Sequence, residues 1–583
     1  MVPGVRNPKN GKVVALRPPA REHNLRRTST QQLRDRLARP LHRRTRLLPM
    51  VVDGRSIPKM FAEVRPHGLQ HVRQHRSGRI IVEIDPPRHR FYCTGTTVSR
   101  RVRMSIPSLR PAVFRLYSLI EKPVKATLFT LALSVALATA QDHPAPETSI
   151  RHVTVINVAT GAELKDQTVR ILGNRIASIA TTQESDATLP TSIDAHGAYV
   201  IPGLWDMHVH VHDTDELPLY IANGVTGIRI MSGERDTAAL RAELARESPA
   251  PEIYLASAIV DGDPPIWPGS IVVKKPADAR RTVDDIKASG ADFVKVYNRI
   301  PRDAYFAIVD ESKQQHVPFE GHVPDAITAQ EASSAGQRSI EHLTGIALAC
   351  SSKQDQLMGD NLRAQMFRDH LVIEARGYQT FDNGKCQALF EELRRNQTWQ
   401  VPTLSVLQLW GRLDDSHYLS DPRLAYIDRK FRDRWDERTD FQRRHWTHQQ
   451  FDMARGIFSA DKKIVGAMFR AGVPMMAGTD AMNPYCFPGF SLHDELAMLV
   501  ESGVTPLAAL QMATINPATF LGRTAELGSV EPGKLANLVL LRADPLADIH
   551  NTTQIEAVWL EGKYFDREAL ARMLEKAKEN AKH

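Results

Sequence analysis

Short apolar runs alternate with longer segments of helical period through the middle of the chain. Eight apolar runs have the length and the β-branched content of buried strands. One ends in a His-x-His sequence at residue 210, and the others are 224–231, 252–257, 292–297, 317–322, 338–342, 400–406 and 474–480. Helical patterns such as 277–289 and 302–315 lie between most of them. This alternation predicts an α/β fold with a parallel sheet, and eight such units fit a (β/α)8 TIM-type barrel.

An open, doubly wound sheet is the alternative, but no Gly-rich phosphate-binding turn follows the first strand. We therefore predict a barrel over residues 201–521, with insertions at 346–398 and 407–460. The second insertion is charged and contains Trp410, Trp435 and Trp446. We interpret it as a helical lid over the barrel mouth or, equally, as a plain solvated insertion.

Patterns with the period of a strand flank the barrel region on both sides. They fall at 152–158, 167–172, 175–180 and 192–195, and again at 536–542 and 554–560. Gly173 and Asn174 have the composition of a hairpin turn between two of these segments. Together they predict a small β-sandwich domain assembled from residues 141–200 and 522–583, the second part ending in a helix.

The basic charge of the chain is concentrated at its N-terminus. Residues 1–103 carry 24 Lys and Arg against 6 Asp and Glu, a net charge of +18, whereas the remainder carries 51 against 61, a net charge of −10. The high isoelectric point is therefore no argument for a nucleic-acid partner of the folded part, and we expect none. The leader 1–103 is rich in Arg and Pro without a sustained period, which predicts disorder, and Met104 is a plausible true start.

An export signal follows in residues 104–140. Lys122 and Lys125 precede an apolar run at 126–137, and Ala138-Thr139-Ala140 has the small residues of a cleavage site. This pattern predicts a secretory signal peptide cleaved after Ala140, and hence a periplasmic or secreted protein. The run is too short to span a membrane comfortably, so we expect no stable anchor; a buried helix is the alternative.

Export changes the interpretation of the cysteines that follow the signal. Cys350, Cys386 and Cys486 remain, an odd number for an oxidising compartment. Cys350 and Cys386 bracket one polar insertion, so we predict a disulfide between them; two buried free thiols are an equal alternative.

Polar residues follow most of the predicted barrel strands. Since residues two apart on a strand share a face, His208 and His210 present two imidazoles side by side. The other polar residues at strand ends are Lys295, His322, His342 and Asp480. Catalytic groups of (β/α)8 barrels lie at the C-terminal ends of the strands, and imidazole is a common zinc ligand. The six together predict a metal site.

These sequences resemble the amidohydrolase superfamily, in particular its imidazolonepropionase-like branch with prolidase-like and other dipeptidases. The resemblance rests on these motifs: Pro202-Gly203-Leu204-x-Asp206-x-His208-x-His210, Lys295-Val296-Tyr297, Gly478-Thr479-Asp480, Gly489-Phe490-Ser491-Leu492-His493-x-Glu495, Asn516-Pro517-Ala518 and Gly528-Ser529-Val530-Glu531-Pro532-Gly533. It covers nearly all of the chain after the signal and none of residues 1–103.

The resemblance implies two divalent metal ions, with zinc expected. His208, His210 and Asp480 would hold one ion, His322 and His342 the other, and Lys295 would bridge them as a carbamate formed with CO2. A metal-bridging hydroxide would attack an amide carbonyl, and Asp480 would carry the proton to the leaving amine.

The implied substrate is a small molecule such as a dipeptide or an N-acyl amino acid. Tyr297 points the same way as Lys295 and is a candidate to hydrogen-bond it; packing in the barrel is an equal alternative. Arg229 and His493 are further candidates for substrate binding, although Arg229 is followed by Ile230 and Met231 where the branch often has an acidic residue.

Three alternatives in function stay open. The same nucleophile would also hydrolyse a lactone or a phosphoester, and a barrel without activity would act as a binding protein. Retention of all six ligand-type residues favours an enzyme. Assembly into a homo-oligomer is left open.

Overall fold

The computed structural model describes residues 147–188, 191–246, 248–435, 443 and 445–582, and the backbone of six short strands nearer the N-terminus. The chain divides into two units, Met1–Ala140 and Gln141–His583. The strands of the first unit are β1 Val51–Val52, β2 Arg55–Ser56, β3 Phe61–Val64, β4 Arg73–Gln74, β5 Ile80–Ile84 and β6 His89–Cys93.

These strands differ from the predicted disorder of residues 1–103. β1 and β2 pair with each other, and the remaining four form an antiparallel sheet in the order β3-β6-β5-β4. The β-branched and aromatic residues of β5 and β6 have strand propensity, which the Arg- and Pro-rich composition obscured. The predicted signal peptide at 104–140 lies outside the described residues.

The second unit alternates strands and helices. Its strands are β7 Glu147–Asn157, β8 Ala162–Leu172, β9 Arg175–Thr181, β10 Thr191–Asp194, β11 Tyr199–Pro202, β12 Leu204–Val209, β13 Val225–Ile230, β14 Glu252–Leu255, β15 Val260–Asp261, β16 Ile271–Val272, β17 Val294–Val296, β18 Phe319–Gly321, β19 Ser339–Glu341, β20 Trp399–Val401, β21 Leu538–Leu541, β22 Ile555–Leu560 and β23 Lys563–Asp566.

Its helices are α1 Leu217–Ala222, α2 Thr237–Leu244, α3 Pro276–Ser289, α4 Arg302–Gln315, α5 Ala329–Ala335, α6 Ile346–Ala349, α7 Gln354–Asn361, α8 Phe367–Gln379, α9 Asn383–Arg395, α10 Leu404–Trp410, α11 Arg429–Arg432, α12 His448–Arg470, α13 Phe490–Glu501, α14 Pro506–Met512, α15 Ile515–Phe520 and α16 Arg567–Asn580. Among the described helices, none combines the length and the apolar character needed to cross a bilayer.

The central strands form a ring of parallel segments. β12, β13 and β14 pair in that order, and so do β17, β18, β19 and β20. Isolated parallel bridges join the two groups and the segment 474–481: Ala256 to Phe293, Gln400 to Met475 and Val209 to Ala481. This pairing yields eight parallel segments around one core, the arrangement of a TIM-type α/β barrel.

One predicted barrel strand is shorter than expected. The segment 400–406 was predicted as a strand, but β20 ends at Val401 and α10 begins at Leu404. Thr403 between them has φ 51°, which turns the chain. The carboxylate of Glu495 then accepts hydrogen bonds from the backbone N–H groups of Leu404 and Ser405 at 3.0 and 2.7 Å. An acceptor at the first turn satisfies N–H groups that have no partner within a helix, so the apolar run continues as a helix.

Strands from both ends of the second unit form one sheet beside the barrel. Its order is β23-β22-β21-β11-β7-β8-β9, and β10 also pairs with β7. The pairing therefore joins all eight strands in a single sheet instead of the two separate layers of the predicted sandwich, because the long β7 has partners along both edges. Leu172 pairs with Arg175, so Gly173 and Asn174 form the predicted two-residue hairpin turn.

The two insertions are mainly helical. The first contains α6 to α9, and a disulfide joins Cys350 at the end of α6 to Cys386 in α9, as predicted. The second contains α10, α11 and the first half of α12. Cys486 is a buried free thiol.

Candidate active site

The six predicted metal-site residues lie at one end of the barrel strands. His208 lies in β12, Lys295 in β17 and Asp480 near the end of the segment 474–481, and the other three directly follow a strand. Their exposed fractions are 0% for His208, 1% for Lys295, 8% for His322, 7% for His342 and 6% for Asp480. The side chain of His210 is 20% exposed. All six line the same cavity.

Asp480 is the point where three of the imidazoles meet. Its Oδ1 lies 2.8 Å from Nε2 of His210 and 3.3 Å from Nε2 of His208, and its Oδ2 lies 3.9 Å from Nε2 of His342. The ring of His322 packs against that of His342, with 4.9 Å between ring centroids. The residues therefore line up as one cluster from His210 to His322.

Hydrogen bonds fix which ring nitrogen faces the cluster. Nδ1 of His208 lies 2.8 Å from the Glu341 carboxylate, and Nδ1 of His322 lies 2.7 Å from Oδ1 of Asn298. These oxygens only accept, so each Nδ1 carries the proton and donates it. Nδ1 of His342 lies 2.6 Å from the hydroxyl of Thr403, which itself donates to the carbonyl of Pro402. In all three rings Nε2 is left with its lone pair, the tautomer that ligates a metal.

Burial sets the charge state of this cluster. It lowers the pKa of His342 to about 3, the pKa of His322 well below its usual range, and that of His210 in the same direction. Burial alone would raise the pKa of Asp480, but His208 and His342 outweigh it and hold that pKa well below its usual range. His210, His322 and His342 are therefore neutral near pH 7, beside an ionised Asp480.

This donor set fits a divalent cation. Ligand atoms of His208, His342 and Asp480 all lie within 4.8 Å of one another. Nε2 of His208 faces Oδ1 of Asp480 at 3.3 Å, and these two buried atoms lack the geometry of a hydrogen bond. Buried polar atoms normally have partners, so a converging set without them indicates a missing ligand. The three residues whose ligand atoms converge are thus His208, His342 and Asp480. The sequence analysis instead grouped His210 with His208 and Asp480.

A fully buried layer of charge lies beneath the ligands. The guanidinium of Arg229 contacts both oxygens of Glu341 at 2.9 Å and Oε2 of Glu320 at 2.8 Å, and it also donates to Ser339 and to the carbonyl of Met207. Burial raises the pKa of Glu341, but Arg229 and His208 outweigh it and hold the pKa at about 2. Glu341 thus stays ionised and orients His208.

Arg229 was expected to bind substrate, and the structure corrects this expectation. Its side chain is 0% exposed and does not line the cavity, because β13 directs it inward between β18 and β19. The acidic partner that could not be placed from the sequence is supplied by Glu341 and Glu320.

His493 is likewise not at the cavity. It is 6% exposed on α13, where Nδ1 lies 2.9 Å from the hydroxyl of Thr552 and Nε2 lies 3.1 Å from the carbonyl of Asn223. Both ring nitrogens are occupied by structural hydrogen bonds, since the helix packs between other elements of the fold. The expected substrate contact is therefore corrected to a packing role.

Several supporting residues were missed by the sequence analysis. Asp206 accepts hydrogen bonds from the backbone of His208 and from the backbone and hydroxyl of Thr479, which ties β12 to the segment that carries Asp480. Its place within the motif Asp206-x-His208 was the available signal. Asn298 and Thr403 follow barrel strands but gave no signal, since amides and hydroxyls are common in loops.

The cavity is large, at about 1370 Å³. Tyr297 lies in its wall with its ring 4.0 Å from that of His322, and Nε1 of Trp267 donates to the Tyr297 hydroxyl at 2.7 Å. Residues of both insertions also line it, including Leu371, Trp410 and Trp446. The second insertion thus forms part of the cavity wall.

Comparisons with known proteins agree with this geometry. The profile of the Amidohydrolase family matches residues 436–564. Imidazolonepropionase of Geobacillus kaustophilus is 44% identical over 71 residues, which is 12% of this chain and 16% of that enzyme. Such matches thus span only a small part of the curated relatives.

Solved structures match over a longer span. Bottromycin amidohydrolase shares the fold with a TM-score of 0.58 and 24% identity, over 79% of this chain and 94% of that one. A Xaa-Pro dipeptidase crystallised with methionine gives a TM-score of 0.53 and 19% identity, over 72% and 100%. Residues 436–564 thus resemble the Amidohydrolase family, and the fold is shared with solved amidohydrolase and dipeptidase structures.

Proposed function

We propose that this protein is a metal-dependent hydrolase that cleaves a carbon–nitrogen amide bond in a small substrate such as a dipeptide or an N-acyl amino acid. The observation that carries the proposal is the convergence of His208, His342 and Asp480 within 4.8 Å in a large cavity. The likeness in fold to a dipeptidase and an amidohydrolase supports it.

The proposed centre is binuclear, with zinc as the expected metal. Its ligands would be His208, His210 and Asp480 for one ion, His322 and His342 for the other, and Lys295 as a bridging carbamate. Lys295 is 1% exposed, and its ammonium group forms no ion pair with the described residues. Burial lowers its pKa to about 8. The neutral amine is therefore more available to add to CO2, forming the carbamate with loss of a proton.

Bound divalent ions would supply an activated water and polarise the scissile carbonyl. The ionised Asp480 would accept the proton of the attacking water and deliver it to the nitrogen of the leaving amine. Tyr297 donates to the substrate: Trp267 already donates to its oxygen, so the phenolic proton is left for another acceptor. Burial raises the pKa of Tyr297, which keeps that proton in place.

The test is a panel of dipeptides and N-acyl amino acids assayed with zinc, manganese and cobalt, beside lactones and phosphoesters. We expect amide hydrolysis that a chelator abolishes and metal restores. Turnover confined to lactones or phosphoesters would establish the alternative substrate class. Tight metal binding without turnover of any substrate would indicate a binding protein.

Metal stoichiometry tests the binuclear arrangement separately. Without Lys295 the two cations would repel each other at close range, so Lys295→Ala should lose at least one metal and most of the activity. Lys313→Ala, an exposed lysine on α4, is the matched control. Two metals per chain and normal turnover in Lys295→Ala would show that the lysine is not a bridge.

We further propose that the protein is exported and begins at Gln141 after cleavage. The proposal rests on the small residues at 138–140 after an apolar run. N-terminal sequencing of protein from an exporting host should find Gln141, and a mature chain that retains residues 1–120 would contradict it.

A further inference from the structure

The wall formed by the insertions contains two acidic side chains that the proposed chemistry does not use. Glu374 lies on α8 and Asp461 on α12, two helices that pack against each other. Both residues line the cavity that contains the metal-site residues. Asp461 is 1% exposed, and the hydroxyl of Tyr378 donates to its Oδ1. One hydrogen bond leaves most of the acceptor capacity of this carboxylate unused.

No described cation neutralises this acidic pair. Neither carboxyl group forms an ion pair with a described residue, and Glu374 has no hydrogen bond to one. Three basic residues of the same helices are engaged elsewhere: Arg376 pairs with Asp360, Arg455 with Asp414, and Lys462 with Glu501. Glu374 is half-buried and Asp461 is fully buried, so two ionised carboxylates here are costly without a positive partner.

Burial also disfavours the ionised form of both carboxyl groups. It raises the pKa of Glu374 to about 8, with the charge of Asp461 contributing, and it raises the pKa of Asp461 to about 7. The pair therefore holds protons near neutral pH while the site contains no cation. A positive ligand group would favour ionisation of both carboxyl groups.

The surrounding wall is apolar. Leu371, Ala454 and Ile457 pack together there, and Phe458 lies beside them on α12. An apolar wall that holds two acidic groups is complementary to an aliphatic stem that carries a positive charge.

We propose that Glu374 and Asp461 form a specificity subsite for a cationic group on an aliphatic stem, as in a lysine or arginine side chain. This inference rests on the proposed amide hydrolysis and adds that the preferred dipeptide or N-acyl amino acid is basic. It assigns the helical insertions the task of selecting the substrate side chain, while the strand ends carry out the reaction.

The first test measures binding without turnover. Free lysine and free norleucine differ mainly in the terminal ammonium group, so calorimetric titration of the full chain isolates its contribution. We expect lysine to bind at least about tenfold more tightly, since a charge pair removed from water is strongly coupled. Glu374→Gln should remove this preference, while the exposed Glu391→Gln on α9 should retain it.

The second test compares two substrates, Nα-acetyl-lysine and Nα-acetyl-norleucine, in which the amide bond of the acetyl group is hydrolysed. In Glu374→Gln the ratio of kcat/KM values for lysine over norleucine should fall by at least about tenfold, with the norleucine value unchanged. An unchanged norleucine value also shows that the variant is folded. Asp461→Asn is the second variant and should lower the same ratio.

The outcomes separate the subsite from the activity. A lysine preference in binding that Glu374→Gln abolishes supports the subsite, even if no amide is cleaved; absence of cleavage would then contradict the proposed function alone. Equal binding of lysine and norleucine to the unaltered protein would overturn the subsite. A lysine preference that survives both substitutions would overturn it as well.

Discussion

The ligand cluster and the charged layer beneath it are both buried, but they satisfy their polar atoms in opposite ways. In the lower layer Arg229 faces Glu320 and Glu341, and each charge has a partner within 2.9 Å. In the upper cluster, Nε2 of His208 and Oδ1 of Asp480 face each other without the geometry of a hydrogen bond. The comparison shows that a polar network in which every group is paired, here called closed, supports the structure. An open network, in which buried polar atoms lack partners, is available to bind a ligand.

The largest effect is expected in the open cluster. Asp480→Asn keeps an oxygen beside the metal but cannot accept a proton, so kcat should fall by roughly 10²–10⁴-fold, the usual scale for a general base. Metal content should stay closer to normal than in Lys295→Ala. The measurement is elemental analysis beside kcat on one cleaved substrate, and near-normal turnover would remove Asp480 from the mechanism.

Arg229→Met tests the closed layer. It leaves Glu320 and Glu341 buried with one cation fewer, so the free energy of unfolding should fall by about 3–5 kcal/mol, the scale for breaking a buried ion pair. Arg235→Met, at an exposed position at the cavity, is the control and should change it little. Denaturant unfolding of both variants gives the comparison, and equal stability would mean that the layer contributes nothing.

Glu341→Gln probes the contact between the two layers. The amide no longer provides a charged acceptor for Nδ1 of His208, so metal affinity should weaken by about 10–100-fold, as for other outer partners of ligating histidines. Competition with a chelator of known affinity measures this change. An unaltered affinity with reduced stability would place Glu341 in the structural layer alone.

The smallest effect is a dependence of stability on pH. The folded pKa of His342 is about 3 against an unfolded value of 6.5, so the unfolded chain binds more protons between these values. Stability of the metal-free protein should therefore decrease as pH falls from about 6.5 towards 3, and His342→Gln should reduce this slope. Urea unfolding at several pH values in the presence of a chelator provides the test. The same slope in both proteins would contradict the assigned charge state.

The open cluster could be predicted from the sequence, whereas the closed layer could not. His208, Lys295 and Asp480 come at the ends of apolar runs, and that position alone assigns them to one face of a barrel. Arg229 occupies a similar strand, but its role depends on side chains from β18 and β19 that the sequence does not place next to it. Residue type and strand position therefore assigned these residues to one cluster but did not distinguish residues at the cavity from residues in the layer below.

Contacts between distant parts of the chain also explain two other differences between the predictions and the structure. His493 belongs to a motif that resembles the amidohydrolase superfamily, yet its ring nitrogens contact Thr552 and Asn223 and not the cavity. The apolar run after Val401 has no local signal for a helix start, because its cap comes from the distant Glu495. Long-range hydrogen bonds decided both cases, and a local pattern contains no information about them.

The sheet beside the barrel has a consequence for the order of folding during synthesis. Tyr199 of β11 pairs with Leu541 of β21, so one edge of the first strands has no partner until the ribosome has completed nearly the whole chain. An unpaired edge is a template for association with another chain. Nascent chains that stop before β21 should therefore be the aggregation-prone species, and release of the C-terminal strands is the step that protects the protein.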